Sequence, residues 1–284
     1  MDRAMDQARI DAAIQVYYAR QFDESARLTS RSAQGALELI RVQEMIADRV
    51  GPRSRILDIG GASGVHAARL AEAGHEVTLI DPVEAQVVQA RRHGTFTAQV
   101  GDARRLRFEG DSFDAALLFG PLYHLHSPEE RRTCLEEAAR VVVAGGLVFV
   151  AAIPRFIRHA MVTLAEDIPH PYPKEWVDLL EHGTPTGGRF PAGHFHTAEE
   201  LESELLEAGL HDVELCAIEG VAGLALEQVR DDDPELLAAA LTLARKTGHL
   251  PGIRDITNHL MAIGRVREAA GRLDPTRPNG AGVG

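Results

Sequence analysis

Apolar residues near the start of the chain recur with helical spacing. Ile10, Ile14, Tyr17 and Tyr18 fall at i, i+4, i+7 and i+8, which predicts an amphipathic helix with both tyrosines beside its apolar stripe. A polar stretch runs from Gln21 to Gln34. A second helix then puts Leu39, Val42, Ile46 and Val50 on one face and is stopped by Gly51-Pro52. From Arg55 the period changes. Short apolar runs at Arg55–Ile59, Glu76–Asp81, Thr95–Val100, Asp114–Phe119 and Leu147–Ile153 predict buried strands. Helices are expected between them at Val65–Ala73, Val83–Arg92 and Pro128–Val141. Ser127 is suited to cap the last of these, Pro128 to its first position, and Glu129 and Glu130 to its dipole. Such alternation implies right-handed βαβ units and a doubly wound, mostly parallel sheet of the α/β class.

After Ile153 the pattern breaks. Pro154, Pro169, Pro171, Pro173 and Pro185, several histidines and the only tryptophan, Trp176, crowd residues 154–196, which predicts an inserted cap and not another sheet unit. Thr197-Ala-Glu-Glu200 is a capping box opening a helix to Ala208, with Gly209 as its stop. Val213–Ile218 is predicted as a strand, Pro234–Lys246 as a helix and His259–Val266 as the seventh strand. The expected organisation is therefore N-terminal helices at 1–50 forming part of a lid, a Rossmann-like core at 51–153, and the cap at 154–196. The rest of the core follows at 197–268, with a helical insertion at 220–256, and a disordered tail at 269–284.

Composition narrows the partners. A formal net charge of -12 and the absence of a basic run argue against nucleic acid. Cys134 and Cys216 lack CxxC spacing and are expected to be small buried hydrophobes in a reducing compartment. The N-terminus lacks the apolar stretch of a signal peptide, and the most apolar segment, Val141–Ile153, is interrupted by Gly145-Gly146 and too short to span a bilayer. A cytoplasmic protein with no membrane contact, monomeric or homodimeric, is the expectation.

The densest chemical signal is Arg55-Ile-Leu-Asp-Ile-Gly-Gly-Ala-Ser-Gly64: a strand, a glycine turn and a helix start. Such a unit brings bare backbone and a helix N-terminus against a ligand. A dinucleotide GxGxxG starting at Gly60 would need glycine at Ala62 and Val65, and no GxxxxGK[ST] phosphate loop is present. Asp81 ends the second strand, where a ribose reader sits in nucleotide-binding α/β folds. Four pieces in order, Leu57 to Gly64, Asp81, Gly101-Asp102-Ala103, and Phe113-Asp114 through Gly120-Pro-Leu-Tyr-His-Leu125 with Arg140 to Gly146, resemble the class I S-adenosylmethionine-dependent methyltransferases. The likeness extends over roughly residues 15 to 268. It is greatest to the bacterial small-molecule branch, often associated with natural-product tailoring. Ala62-Ser63 and Ala144 depart from the common pattern.

The resemblance implies S-adenosyl-L-methionine as cofactor. Backbone of Gly60, Gly61 and Gly64 would meet its methionine end, Asp81 beside Pro82 the ribose hydroxyls, and Asp102 and Ala103 the adenine. Phe119, Gly120 and Leu122 would lie near the adenine and sulfonium, with Tyr17 or Tyr18 and Arg27 or Arg31 closing over the methionine carboxylate. Methyl transfer needs alignment, exclusion of water and often a base. His124, His196 and Glu219 are the catalytic candidates, and Tyr17, Tyr123, Arg155, Trp176 and His194 the acceptor-binding ones. The aromatic residues of the cap suggest a small, fairly hydrophobic acceptor methylated on O, N or activated carbon. A metal held by His124, His126, His194 and His196 lacks any accompanying acidic pattern, so none is expected. Two alternatives stay open: a cyclisation or other non-methylating reaction on the same scaffold, and a non-catalytic cofactor-binding subunit.

Overall fold

In the computed structural model, residues 7–164, 170–185, 190–230 and 233–267 are described. The tail expected at 269–284 lies outside them, as do parts of the cap at 165–169 and 186–189. Three helices come first: α1 (Gln7–Arg20), α2 (Glu24–Thr29) and α3 (Ala33–Ala47). The core follows as β1 (Arg55–Ile59), α4 (Val65–Glu72), β2 (Glu76–Asp81), α5 (Glu84–Ala90), β3 (Thr97–Val100), β4 (Phe113–Leu118), α6 (Pro121–His124), α7 (Pro128–Val141) and β5 (Val142–Ala152). The cap holds α8 (Ile157–Leu164) and α9 (Lys174–His182). After it come α10 (Ala198–Glu207), β6 (Leu210–Ala217), α11 (Gly223–Leu226), α12 (Pro234–Thr247) and β7 (Leu260–Val266).

The seven strands form one sheet in the order β3-β2-β1-β4-β5-β7-β6. The first five are mutually parallel, and β7 runs antiparallel to both β5 and β6. Alternate residues of a strand face opposite sides of the sheet, and here both sides are covered. Leu57, Ile59, Ala116 and Leu118 pack with Cys134, Leu135 and Ala138 of α7 and Leu201 and Leu205 of α10. Ile56, Ala115, Leu117 and Phe149 pack with Ile46 of α3, Leu70 of α4 and Val87 of α5. This double burial explains why the strands are near-continuous apolar runs.

Some local features differ from the sequence expectation. The polar stretch from Gln21 to Gln34 contains α2, whose N-cap Asp23 accepts from the Ala26 N–H at 2.9 Å. The last parallel strand begins at Val142, earlier than expected, and the capping box at Thr197 and Glu200 forms as predicted. Helix α3 also packs Leu37 against Leu226 and Ala240, Leu241 and Ala244, joining the N-terminal helices to the segment before β7. The α2–α3 contact is tight: a Cβ on Gly35 would stand 1.9 Å from the Arg27 carbonyl oxygen, so only glycine fits there. That contact presents Arg27 and Glu38 to each other. Among the described residues, no helix is long and apolar enough to cross a membrane.

Candidate active site

The C-terminal ends of β1, β2 and β4 meet at one edge of the sheet, where a cavity of about 320 Å3 opens. Its floor is the turn after β1. Gly60 has φ 75° and Ala62 φ 47°, and the Gly60 N–H donates to Ile80 O at 2.8 Å, anchoring the turn to β2. A Cβ on Gly61 would lie 2.5 Å from Asp58 Oδ2, so the bare backbone here is a steric requirement. Asp81 closes the side: its Oδ2 accepts from Ala62 N–H at 3.0 Å and its Oδ1 from Val83 N–H at 2.8 Å. Burial pushes its carboxyl up to about 6, against the lowering effect of those two bonds. Burial, reinforced by Asp81, lifts Asp58 to about 7. Asp58 Oδ2 and Ser63 Oγ are buried with no hydrogen-bond partner. Two desolvated acids, one with an orphaned oxygen, beside a side-chain-free turn fit a ligand carrying hydroxyls and positive charge.

Of the residues expected at the cofactor, Tyr18, Arg27, Gly60, Gly61, Asp81, Pro82, Asp102, Ala103, Phe119 and Gly120 line this cavity. Gly64 and Leu122 do not. Gly64, at φ 83°, caps α4 with its Cβ position against Phe96, and Leu122 is wholly buried in the core. Arg27 is already matched by Glu24 and Glu38. A ligand carboxylate would therefore compete with two internal ones. Asp102 chelates Arg104, at 2.7 Å from Nη2, and accepts the Arg104 N–H at 2.9 Å, so it is a turn former as well as a cavity wall.

Several expected catalytic and acceptor residues are placed elsewhere. His124 borders the cavity, but Nδ1 contacts Pro191 O at 2.7 Å and Nε2 the Tyr18 hydroxyl at 3.0 Å. Burial holds it down at about 4, so the neutral ring donates from Nδ1 and accepts from Tyr18, a strut between α1 and the cap with no free nitrogen. His196 is fully buried, with Nε2 3.2 Å from Glu204, and Arg131 holds the same carboxylate. Arg155 pairs with Glu200, and His194 approaches that carboxylate at 3.5 Å. Arg155, His194 and His196 lie outside this cavity and tie the cap to α10, because α10 presents Glu200 and Glu204 one turn apart. Trp176 packs with Tyr172 in the cap, ring centroids 5.6 Å apart. Tyr17 stacks on Phe22 at 5.1 Å. Glu219 has no exposed surface.

A second cavity of about 230 Å3 adjoins the first: Tyr18, Glu24, Arg27 and Tyr123 line both. One side is aromatic, with Phe22 and Phe190, and the other is polar, with Arg31, Gln34, Glu227 and His259. Both tyrosine hydroxyls of the shared wall are turned into the protein, Tyr18 to His124 and Tyr123 to Phe119 O at 2.8 Å. Burial raises both above the usual phenol range. Sequence reasoning missed Asp58, Glu38 and His259. Asp58 was visible in the motif as the last acid before the glycines; the other two carry no local signal. Atoms of Glu38, Glu219 and His259 lie within 4.8 Å of one another, in the manner of metal ligands. Yet each carboxylate oxygen already accepts from Arg27, Gln34, Thr257 or His259, so the cluster is a hydrogen-bonded ion-pair network.

Residues 56–146 match a family described as a methyltransferase domain. The chain is 34% identical over 127 residues to the ubiquinone biosynthesis O-methyltransferase of Methylocella silvestris, covering 42% of this chain and 48% of that protein, about half its length. With the Bordetella avium protein of the same name it shares 27% over 214 residues, covering 72% of this chain and 81% of that one. The fold matches a SAM-dependent methyltransferase of Thermotoga maritima, described as a possible histamine N-methyltransferase, with TM-score 0.54 and 17% identity over 92% of this chain and 98% of that one.

Proposed function

We propose that this chain, whose residues 56–146 match a methyltransferase domain, is a class I S-adenosylmethionine-dependent methyltransferase that methylates a hydroxyl of a small aromatic acceptor held in the second cavity. The observation that carries this is the pair of adjoining cavities sharing a wall of Tyr18 and Tyr123. Asp81 and the 60–64 turn would hold the cofactor, with Asp58 facing its positive end and Asp102 and Ala103 its base. S-adenosylmethionine supplies an electrophilic methyl group on a sulfonium that leaves as a neutral thioether.

The protein's part is alignment and exclusion of water. With their hydroxyls bonded inward, Tyr18 and Tyr123 leave ring surface at the junction between the cavities, where water finds few partners. Phe22 and Phe190 offer flat apolar contact to an aromatic ring, while Arg31 and Gln34 can receive its polar substituents. The names of the curated relatives favour oxygen as the atom modified. The two cysteines, both unpaired, suit a reducing compartment, and we place the enzyme in the cytoplasm, acting on small molecules.

The test is product mass. Incubation with S-adenosylmethionine and a panel of hydroxylated aromatics should yield S-adenosylhomocysteine and a product heavier by one methylene. Conversion without mass gain would indicate a cyclisation or rearrangement instead. Tight S-adenosylhomocysteine binding with no turnover of any panel member would favour a non-catalytic subunit.

A further inference from the structure

The cations that line the two cavities are not equally matched. Arg27 is answered by Glu24 and Glu38, and Arg104 by Asp11, Asp102 and Glu130. His66 and His124 are held down at about 4 by burial and are neutral. Two cations remain, and both line the second cavity. Arg31 has its guanidinium carbon 5.8 Å from the centre of the Phe22 ring and forms no ion pair among the described residues. His259 immediately precedes β7. Its Nδ1 lies 2.7 Å from Glu219 Oε1 and 3.5 Å from Glu38 Oε2, while its Nε2 has no partner among the described residues. Burial opposes charge on this ring, but Glu38 and Glu219 outweigh it and push it up to about 9. At neutral pH both ring nitrogens therefore carry hydrogen, and the Nε2–H is a charged donor left to the cavity.

The two open donors bear on the same stretch of wall. Burial raises the Glu227 carboxyl and His259 and Arg31 both pull it back down, yet neither forms an ion pair with it. Its Oε1 accepts from Asn258 Nδ2 at 2.8 Å. Glu24, the other carboxylate of this cavity, is given to Arg27. Charged N–H donors that converge without an ion-paired anion are the arrangement that receives a ligand carboxylate. We propose that the acceptor is an aromatic hydroxy acid: Arg31 and the Nε2–H of His259 bind its carboxylate, and its ring lies against Phe22 and Phe190. This deepens, and rests on, the methyl-transfer function above. Glu219 does not touch the acceptor; it fixes the His259 ring, and is itself held by Thr257 Oγ1 at 2.9 Å and Gln34 Nε2 at 2.8 Å. The selectivity that results is for charge as well as shape. A neutral acceptor of the same outline leaves both cations without an anion, and a cationic one meets them with only Glu227 to receive it.

The experiment uses the full chain with S-adenosylhomocysteine bound, titrated by calorimetry near neutral pH at low salt. The probes share one outline and differ in charge: 3,4-dihydroxybenzoate, 3,4-dihydroxybenzamide and 3,4-dihydroxybenzylamine. The anion should bind at least ~10-fold tighter than the amide, the lower end of what charged hydrogen bonds contribute, and the amine should bind weakest. Because Arg31 is exposed, the preference should shrink as salt is raised. Arg31→Gln should remove most of the anion's advantage, His259→Gln should reduce it, and Arg31→Glu should turn the preference toward the amine. The exposure of Arg31 keeps the test decisive even where His259→Gln fails to fold. An amide bound as tightly as the anion, an amine bound tightest by the unsubstituted protein, an anion preference kept in both Arg31 variants, or no saturable binding of any of the three would each overturn the proposal. Failure of S-adenosylhomocysteine itself to bind would instead remove the function on which it rests.

Discussion

Asp81→Asn separates a cofactor reader from a turn former. In the unliganded protein the substitution has two opposed effects. The carboxylate is 6% exposed and is lifted to about 6, so holding its charge at pH 7.5 costs on the order of 3 kcal/mol relative to an ordinary acid near ~3.9. Removing the charge recovers that. Against it, an amide offers one acceptor oxygen where the carboxylate offers two, so either Ala62 N–H or Val83 N–H loses its partner, at about 1–3 kcal/mol. The two terms largely offset each other, and the unfolding free energy should change by no more than about 2 kcal/mol. Ligand binding has no such compensation. Loss of charge-assisted bonds to two hydroxyls should weaken S-adenosylhomocysteine binding by about 1.5–3 kcal/mol, roughly 10- to 150-fold. Calorimetry and urea denaturation on the same preparation read both quantities. Unchanged affinity, or a loss of affinity fully accounted for by a loss of stability, would refute the assignment.

Cofactor affinity should also depend on pH. Asp58 and Asp81 ionise near 7 and 6, so binding of the cationic S-adenosylmethionine should strengthen as pH rises from 5 to 8, as titration calorimetry would show. Arg131→Ala should destabilise the fold by about 3–5 kcal/mol, because it leaves Glu204 and the Leu125 and His126 carbonyls without their shared donor; a urea midpoint corresponding to less than about 1 kcal/mol would contradict this. Stability should fall on both sides of neutrality. His259 is held charged up to about 9, so its contribution is complete below ~6.5 and lost as pH rises through about 9, and His259→Gln should flatten that limb. His66, His124 and His194 are held down at about 4 by burial. The unfolded chain protonates first, so stability drops as pH falls from ~6.5 toward 4. Urea midpoints at several pH values would check both limbs.

The sheet and the first cavity were legible because their signals are local. Apolar runs mark buried strands, and the glycine turn and Asp81 sit at strand ends that a parallel sheet brings to one edge. Helix α2 was not visible, since its six residues, ESARLT, carry no apolar period and it is held by the Asp23 cap and by packing on α3. The loop histidines were misplaced for a different reason. Glu200 and Glu204 share one face of α10, yet nothing in the sequence shows that this face lies under His194 and His196. The Glu219–His259 pair, forty residues apart in sequence, required the register of two antiparallel strands that sets Ala217 opposite Leu260. That pairing is a property of the folded sheet alone.

The position of β7 also bears on how the molecule is made. Although it is the last described strand to leave the ribosome, it is laid down between β5 and β6, both older. Until Leu260–Val266 emerges, the apolar edge Leu147–Ala152 has no neighbour on that side and β6 has nothing to pair with. A nascent chain halted before Leu260 should therefore be a good client for chaperones that hold unpaired strands. The second cavity, which His259 lines at the mouth of this strand, is completed last of all.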